Sequence, residues 1–465
     1  MAACKNWEDR LPDPDNAINR TLLEEISNHK ELSTFKDLLV QTGYDKVLAS
    51  SKSYTVWAPA NEALASLPAS VLNDPNALKV FVGNHIALQL YNMPVQDSKM
   101  VEMLNGKYNI VKSDKFGTAS LVTSNQLVSN GVLHTISSFV SVLPSVWEYL
   151  SANTTYKQNL AIANLTQQVF NPSKAIIDSI SATTGLPIYR PGTGYESVNT
   201  FTNNVYDLKN ESKRYTYFLM TNDLFDKETA KLVPYFKAGG DTTNTQTAYN
   251  TARDLVIEGD YTAETLPAVL KSKFGVTLTI DKNAIVSTMN LSNGTIFIMN
   301  ALGVNISEKF QPIVVQGESY NQRMNVTLAS TVIANRRLLN PLTNNVFTSI
   351  SVIGHGNSGF WLQYNVPNVP SMKYKVYWVV VNDLYATNTA VGETATFAIN
   401  QKLAMGSLAS ATFPYPAAAL PVKNYSEQLL GEYTVNSFGT LSMFLVANGT
   451  NAMALDYVKL VPVLQ

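Results

Sequence analysis

Cysteine is almost absent: Cys4 is the only one in 465 residues. A structural disulfide needs two, so none can form within the chain. Its place in MAACKNWEDR, at the edge of the sequence, also argues against a buried thiol. A catalytic thiolate needs a base beside it and a cleft around it, which a chain tip does not readily supply. Charge is scarce as well. Asp, Glu, Lys and Arg make up 15% of the residues, and 34 basic against 35 acidic side chains leave a net charge of −1. That balance gives no concentrated basic surface for nucleic acid. No run of eighteen apolar residues occurs, so no membrane-spanning helix is expected. G-x-S-x-G, H-E-x-x-H and paired-cysteine sites are all missing. Asp13 to Glu25 has acids at the first and third positions of a calcium loop, but Ile18 stands where the sharp turn requires glycine. GHGNSG, Gly354 to Gly359, has the G-x-G-x-x-G form, yet FWLQYNV follows it with the alternation of a strand. A dinucleotide site needs a helix start there, so a turn is expected.

What is present is enough apolar material, 45% of residues, for two to four domains, and an internal repeat. SYTVWAPANEAL (Ser53 to Leu64) and RYTYFLMTNDLF (Arg214 to Phe225) each read as an aromatic-rich strand running into a helix. VSNGVLHTISSFV (Val128 to Val140) and LSNGTIFIMNALG (Leu291 to Gly303) each place an Asn-Gly turn before a strand. Tyr54 precedes Asn130 by 76 residues and Tyr215 precedes Asn293 by 78. Two landmarks in one order at nearly one spacing indicate a duplicated domain.

The first copy resembles the fasciclin domain family in three motifs: YTVWAPANEAL, GNHIAL (Gly83 to Leu88) and NGVLHTISSFVSVLP (Asn130 to Pro144). The second copy departs from the pattern. Asp254 falls where His85 is expected, Phe297 where His134 sits, and Leu219-Met220 replace the Ala-Pro of the first motif. GLPIYRPGTGYES (Gly185 to Ser197) and AGGDTTNTQT (Ala238 to Thr247) read as loops. The resemblance implies a compact α+β fold, often in tandem, that serves adhesion or matrix contacts and not catalysis. His85 and His134 are expected to be structural, each hydrogen-bonding backbone or a tyrosine, and no metal site is expected.

From about residue 308 strand signals dominate, among them QPIVVQGESY, FTSISVIG, KYKVYWVVVND and GTLSMFLVANG. Their spacing predicts a β-sandwich or jelly roll. Gly359 to Val366, Tyr374 to Val376 and Leu455 to Leu460 resemble the strands of non-catalytic carbohydrate-binding modules. The period of two puts Tyr374, Val376, Trp378 and Val380 on one apolar face. It leaves Trp361 on the polar face with Gln363 and Asn365. Tyr385 is expected in a loop after a strand. Trp361, Asn382, Asp383 and Tyr385 are therefore the candidate ligand-binding residues, with rings to stack on sugars and amide or carboxylate groups for hydroxyls.

The expected architecture is multi-domain: a lipidated tether over 1–19, a fasciclin-like α+β domain over 20–148, a degenerate fasciclin-like domain over 149–307 and an all-β jelly-roll sandwich over 308–465. MAAC resembles the end of a bacterial lipoprotein signal, which makes Cys4 the lipid-attachment residue. The charged stretch behind it is similar to that of surface lipoproteins of the Bacteroides type. Two or three acyl chains anchor durably where one holds marginally. The expected protein is a surface-exposed outer-membrane lipoprotein without cofactor or catalytic residues. It would contact glycans or a partner surface protein, in one reading as an accessory to polysaccharide uptake. A structural adhesion scaffold with no glycan site is the alternative, and a hydrolase is the weakest reading. Sequons such as Asn153, Asn293 and Asn448 would suggest glycosylation in a eukaryotic source.

Overall fold

The computed structural model describes residues 17–50, 52–325, 328–383, 385–388, 393–396, 399–409, 412–414 and 424–464; Cys4 and the tether around it lie outside them. The chain folds as two compact units. The first comprises residues up to 221 with 255–267 and 281–301; the second comprises 222–254, 268–280 and 302 onward.

In the first unit both repeats build the same ladder. Tyr54–Pro59 pairs in parallel with Gly131–Ile136, starting at Tyr54 opposite Gly131. Tyr215–Met220 pairs in parallel with Gly294–Met299, starting at Tyr215 opposite Gly294. All four strands are buried throughout, as their near-continuous apolar runs require for a strand covered on both faces. The first copy extends into a seven-stranded sheet ending in Val95–Glu102, and the second stops at four strands with Ile285–Leu291 on its edge.

The Asn-Gly pairs explain how the repeats close. Asn130 Oδ1 accepts the N–H of Leu22, 2.8 Å away, at the start of helix Leu22–Asn28, while its Nδ2 donates to the Leu48 carbonyl. Asn293 does the same in the second copy. Its Oδ1 accepts from Val146 N at 2.8 Å, at the start of helix Val146–Ala152, and its Nδ2 donates to Leu208 and Asn210 carbonyls. Both helices open with a capping box, Thr21 with Glu24 and Ser145 with Glu148, which satisfies N-terminal N–H groups reciprocally. The glycines are required by proximity. A Cβ on Gly131 would lie 2.2 Å from the Tyr54 carbonyl oxygen, and one on Gly294 2.0 Å from that of Tyr215. Since Val146 is tied to Asn293, the expected boundary at 148 falls inside a helix whose first turn is held by the second copy.

The strand register also corrects the alignment of the copies. Trp57 N–H donates to the His85 carbonyl, and Phe218 N–H donates to the Leu255 carbonyl. Leu255, not Asp254, therefore occupies the position of His85, and Asp254 matches Asn84. Phe297 does stand where His134 is, opposite Phe218 as His134 is opposite Trp57.

Two segments expected as loops hold regular structure. Pro187–Tyr189 and Tyr195–Asn199 are strands of two small antiparallel sheets. AGGDTTNTQT runs into helix Thr242–Ala252, in the second unit. Threonines are mediocre helix formers because their hydroxyls compete for backbone groups. Here Thr247 and Thr251 turn those hydroxyls onto the carbonyls four residues back, at 2.8 and 2.9 Å, and are buried on the helix's packed face.

The second unit is dominated by antiparallel sheets. Ile313–Gln316, Tyr457–Val463, Lys373–Val379 and Gln428–Thr434 form one. Gln322–Arg323, Trp361–Val369, Gly439–Ala447, Gln401–Met405 and Thr412–Pro414 form another. The core contains Tyr364, Phe360, Tyr374, Val376, Trp378 and Val380, and Leu232 and Phe236 belong to the same cluster. The protein is thus multi-domain, with α+β repeats followed by an all-β sandwich. GHGNSG is a turn that leads into the Trp361–Val369 strand. Gly354 has φ +67°, and a Cβ there would sit 2.2 Å from the Ser330 carbonyl oxygen.

Candidate functional site

His85 and His134, two of the three histidines of the first repeat, are neutral and fully engaged. His85 Nδ1 donates to the Phe81 carbonyl at 3.0 Å and its Nε2 accepts from Val140 N–H at 3.0 Å. Complete burial holds the imidazole well down, to about 4. His134 uses the opposite tautomer, with Nδ1 accepting from Asn125 N–H and Nε2 donating to the Tyr91 carbonyl. Its pKa is lowered by burial, which its backbone hydrogen bond only partly opposes. The lone pair on each ring accepts a backbone N–H, so each histidine ties the sheet to a neighbouring segment.

In the sandwich the four sequence candidates separate. Trp361 shares its face with Gln363 and Asn365 as expected, but it is half-buried and not free. It meets Phe444 edge to face at 5.8 Å, beside Ala404 and Val446. The strand opposite, paired Trp361 to Val446 and Gln363 to Phe444, carries apolar residues on this face. The face nonetheless keeps a polar row: Gln363 Nε2 donates to Asn365 Oδ1, which also accepts the Ser442 hydroxyl at 2.8 Å. Asn382 is buried, and its Oδ1 has no hydrogen-bond partner among the described residues. Asp383 is neutralised by an ion pair with Arg336, a residue on the Val332–Asn340 strand. Tyr385 does not sit in a loop: it opens strand Tyr385–Asn388, paired with Glu393–Thr396. Asn382 and Asp383 thus lie together beside Arg336, while Trp361 belongs to a different sheet.

Sequence reasoning missed a pair of carboxylates near the end of the sandwich. Asp456 lies just before the Tyr457–Val463 strand, and its carbonyl accepts the N–H of Gly317, the residue before Glu318. Burial, with Glu318 beside it, pushes the Asp456 carboxyl up to about 7. Glu318 Oε2 is itself buried, with no hydrogen-bond partner among the described residues. A proton or a hard cation held by carboxylate oxygens can neutralise such a pair. Among the described residues no three of His, Cys, Asp and Glu gather as a metal site. The spacing of Glu318 and Asp456, far apart in sequence, gave no motif to find. A stability consequence follows with a definite sign. Asp456 holds its proton in the folded state at pH values where the unfolded chain, near 3.9, has lost it. Stability is therefore expected to fall as pH rises from about 4 to about 7. Melting temperatures across that range should drop more for wild type than for Asp456→Asn; parallel profiles would refute the assignment.

Residues 30–142 match the Fasciclin domain. No curated protein matches the chain. Among solved structures, the chain is similar to a FAS1 domain pair from the insect cell adhesion molecule Fasciclin I. The identity is 14%, over 60% of this chain and 99% of that one, with a TM-score of 0.24. It is also similar to a β-1,3-glucan-binding CBM6 from Bacillus halodurans, at 13% identity over 32% of this chain and 95% of that one, with a TM-score of 0.22. A third is a Podospora anserina GH26-CBM35 β-(1,4)-mannanase, at 11% identity over 33% of this chain and 28% of that one, with a TM-score of 0.21. Among the described residues no helix is long and apolar enough to cross a membrane.

Proposed function

We propose that the protein is a non-catalytic binding protein of the cell surface, contacting glycans or a partner protein. The observation that carries this reading is the Fasciclin domain over residues 30–142, with the repeated Asn-Gly ladder behind it. Residues 20–148, 149–307 and 308–465 serve as its domains in this proposal, with the first boundary drawn back ahead of helix Val146–Ala152, and Cys4 as the lipid anchor of a Bacteroides-type outer-membrane lipoprotein. A place beside a polysaccharide-uptake system belongs to the same reading. In the sandwich, Trp361 with the Gln363–Asn365–Ser442 row brings an aromatic ring and amide groups to one face, the pairing that sugar C–H faces and hydroxyls take. Asp383 with Arg336 forms a second polar position, and Tyr385 remains a candidate by its place in the sequence. The test is paired. Trp361→Ala is expected to cost about 1–2 kcal/mol of stability, because the ring is half-buried against Phe444. If that ring is a sugar platform, glycan affinity falls by about 2 kcal/mol or more. A glycan array on which wild type binds nothing would favour the adhesion scaffold. Binding that survives in Trp361→Ala would move the site off this face.

A further inference from the structure

A cleft of about 810 Å³ lies within the first unit, between strand Tyr108–Ser113 of the first repeat and the end of strand Ile285–Leu291 in the second. Two of its cations are already balanced. Lys107 Nζ reaches Glu148 at 2.5 Å and Glu211 at 2.7 Å, and Arg214 is paired with Asp260. Two others are not. Lys112 and Lys115 both line the cleft, are exposed, and form no ion pair among the described residues.

Their placement is unfavourable for folding. Lys112 lies directly opposite Lys115 across a two-residue turn, Ser113–Asp114. Like charges on directly opposed strand positions repel. The turn also holds Ser113 at φ +52°, a left-handed conformation that a non-glycine residue adopts with strain. Asp114, in the turn itself, forms no ion pair with either among the described residues. The rest of the wall is suited to a saccharide. Tyr108 and Phe139 offer apolar ring surface, Asn290 offers an amide, and Asn109, whose Nδ2 donates to the Asn84 carbonyl, offers its amide oxygen.

We propose that this cleft binds an acidic oligosaccharide, with Lys112 and Lys115 together holding its carboxylate or sulfate groups. The proposal rests on the reading of the protein as a glycan- or partner-binding surface protein, but its residues are separate from those of the sandwich. The full chain is titrated calorimetrically with an oligogalacturonate, a sulfated heparin-derived octasaccharide, a neutral xylo-oligosaccharide and a poly-glutamate peptide. Wild type is expected to bind one or both anionic saccharides and to lose affinity in 0.5 M salt, where such contacts are screened. Which of the two binds tells carboxylate from sulfate. Lys112→Gln/Lys115→Gln is expected to weaken that binding about tenfold or more. Its melting temperature should be unchanged or higher, because the cross-strand repulsion is gone. Binding of no anionic saccharide, preference for the neutral one, binding of the peptide alone, or full affinity in the double variant would each overturn the proposal. Sugar binding lost in Trp361→Ala and kept in Lys112→Gln/Lys115→Gln would overturn it while leaving the sandwich reading intact.

Discussion

Lys309→Met is expected to destabilise the second unit by about 3–5 kcal/mol, the scale for stranding one member of a buried ion pair. Asp254 is completely buried, and Lys309 is nearly so. The carboxylate accepts the Ser272 hydroxyl at 2.6 Å on Oδ1 and the Lys309 ammonium on Oδ2. Lys309 Nζ also donates to the Asn250 carbonyl at 2.8 Å. One contact set thus joins the end of helix Thr242–Ala252, the hairpin of Val269–Lys271 with Thr277–Thr279, and the turn Ile306–Lys309. Arg253 holds the carboxylate more loosely than Lys309 does. Its Nε stays 3.7 Å from Asp254 Oδ2, and its guanidinium lies over the Phe274 ring at 4.8 Å. Burial lowers the Lys309 pKa, and the attraction of Asp254 only partly opposes this. The ammonium therefore depends on its carboxylate partner.

Replacing both members should cost less than replacing the lysine alone, because no charge is then left unpaired. The measurement is denaturant unfolding with hydrogen exchange on peptides covering 250–254, 268–280 and 306–309, which assigns the transition to this unit. If Lys309→Met stays within about 1 kcal/mol of wild type, the pair is not holding these three segments together.

Residue Asp254 also marks where sequence reading stopped. Its position relative to His85 was one residue off because the Asn-Gly and strand landmarks fix the sheet but not the length of the intervening helices. Backbone geometry made other features legible. The period of two in a strand assigned Tyr374, Val376, Trp378 and Val380 to the core, and all four are buried there. It also assigned Trp361 to the correct face. Its degree of burial was not legible, because that depends on Phe444 and Val446, which arrive through pairing with a distant strand. The ion pair of Asp383 is illegible for the same reason: Arg336, its partner, is 47 residues away. Ala238 to Thr247 reads as a loop because it is rich in Gly, Thr and Asn, whereas burial and back-bonded hydroxyls decide the state of the threonines in helix Thr242–Ala252. The repeat was found from its Asn-Gly turns, but the chemistry those asparagines perform was not.

That chemistry supplies the second large effect. Asn293→Ala is expected to cost the first unit about 2–4 kcal/mol, since each buried group deprived of its partner costs about 1–3 kcal/mol. Asn293 is fully buried. Its loss would leave the Val146 N–H without an acceptor and the Leu208 and Asn210 carbonyls without that donor. A glycan on this sequon is incompatible with the same contacts. Asn130→Ala should cost less, because Asn130 is only half-buried and water can reach the groups it leaves. Asn293→Asp separates the two halves of the role. It keeps an acceptor for Val146 but turns a carboxylate toward two carbonyl oxygens, so it should be no better than alanine. Gly294→Ala should be at least as damaging, because the new Cβ would stand 2.0 Å from the Tyr215 carbonyl and force apart the parallel strands. Thermal unfolding of the four variants ranks them. Equal small losses at Asn130 and Asn293 would mean that the turn glycines alone close the repeats. A loss concentrated at Asn293, with exchange of the Val146–Ala152 amides accelerated, would show that one buried amide pins the incoming helix to its sheet.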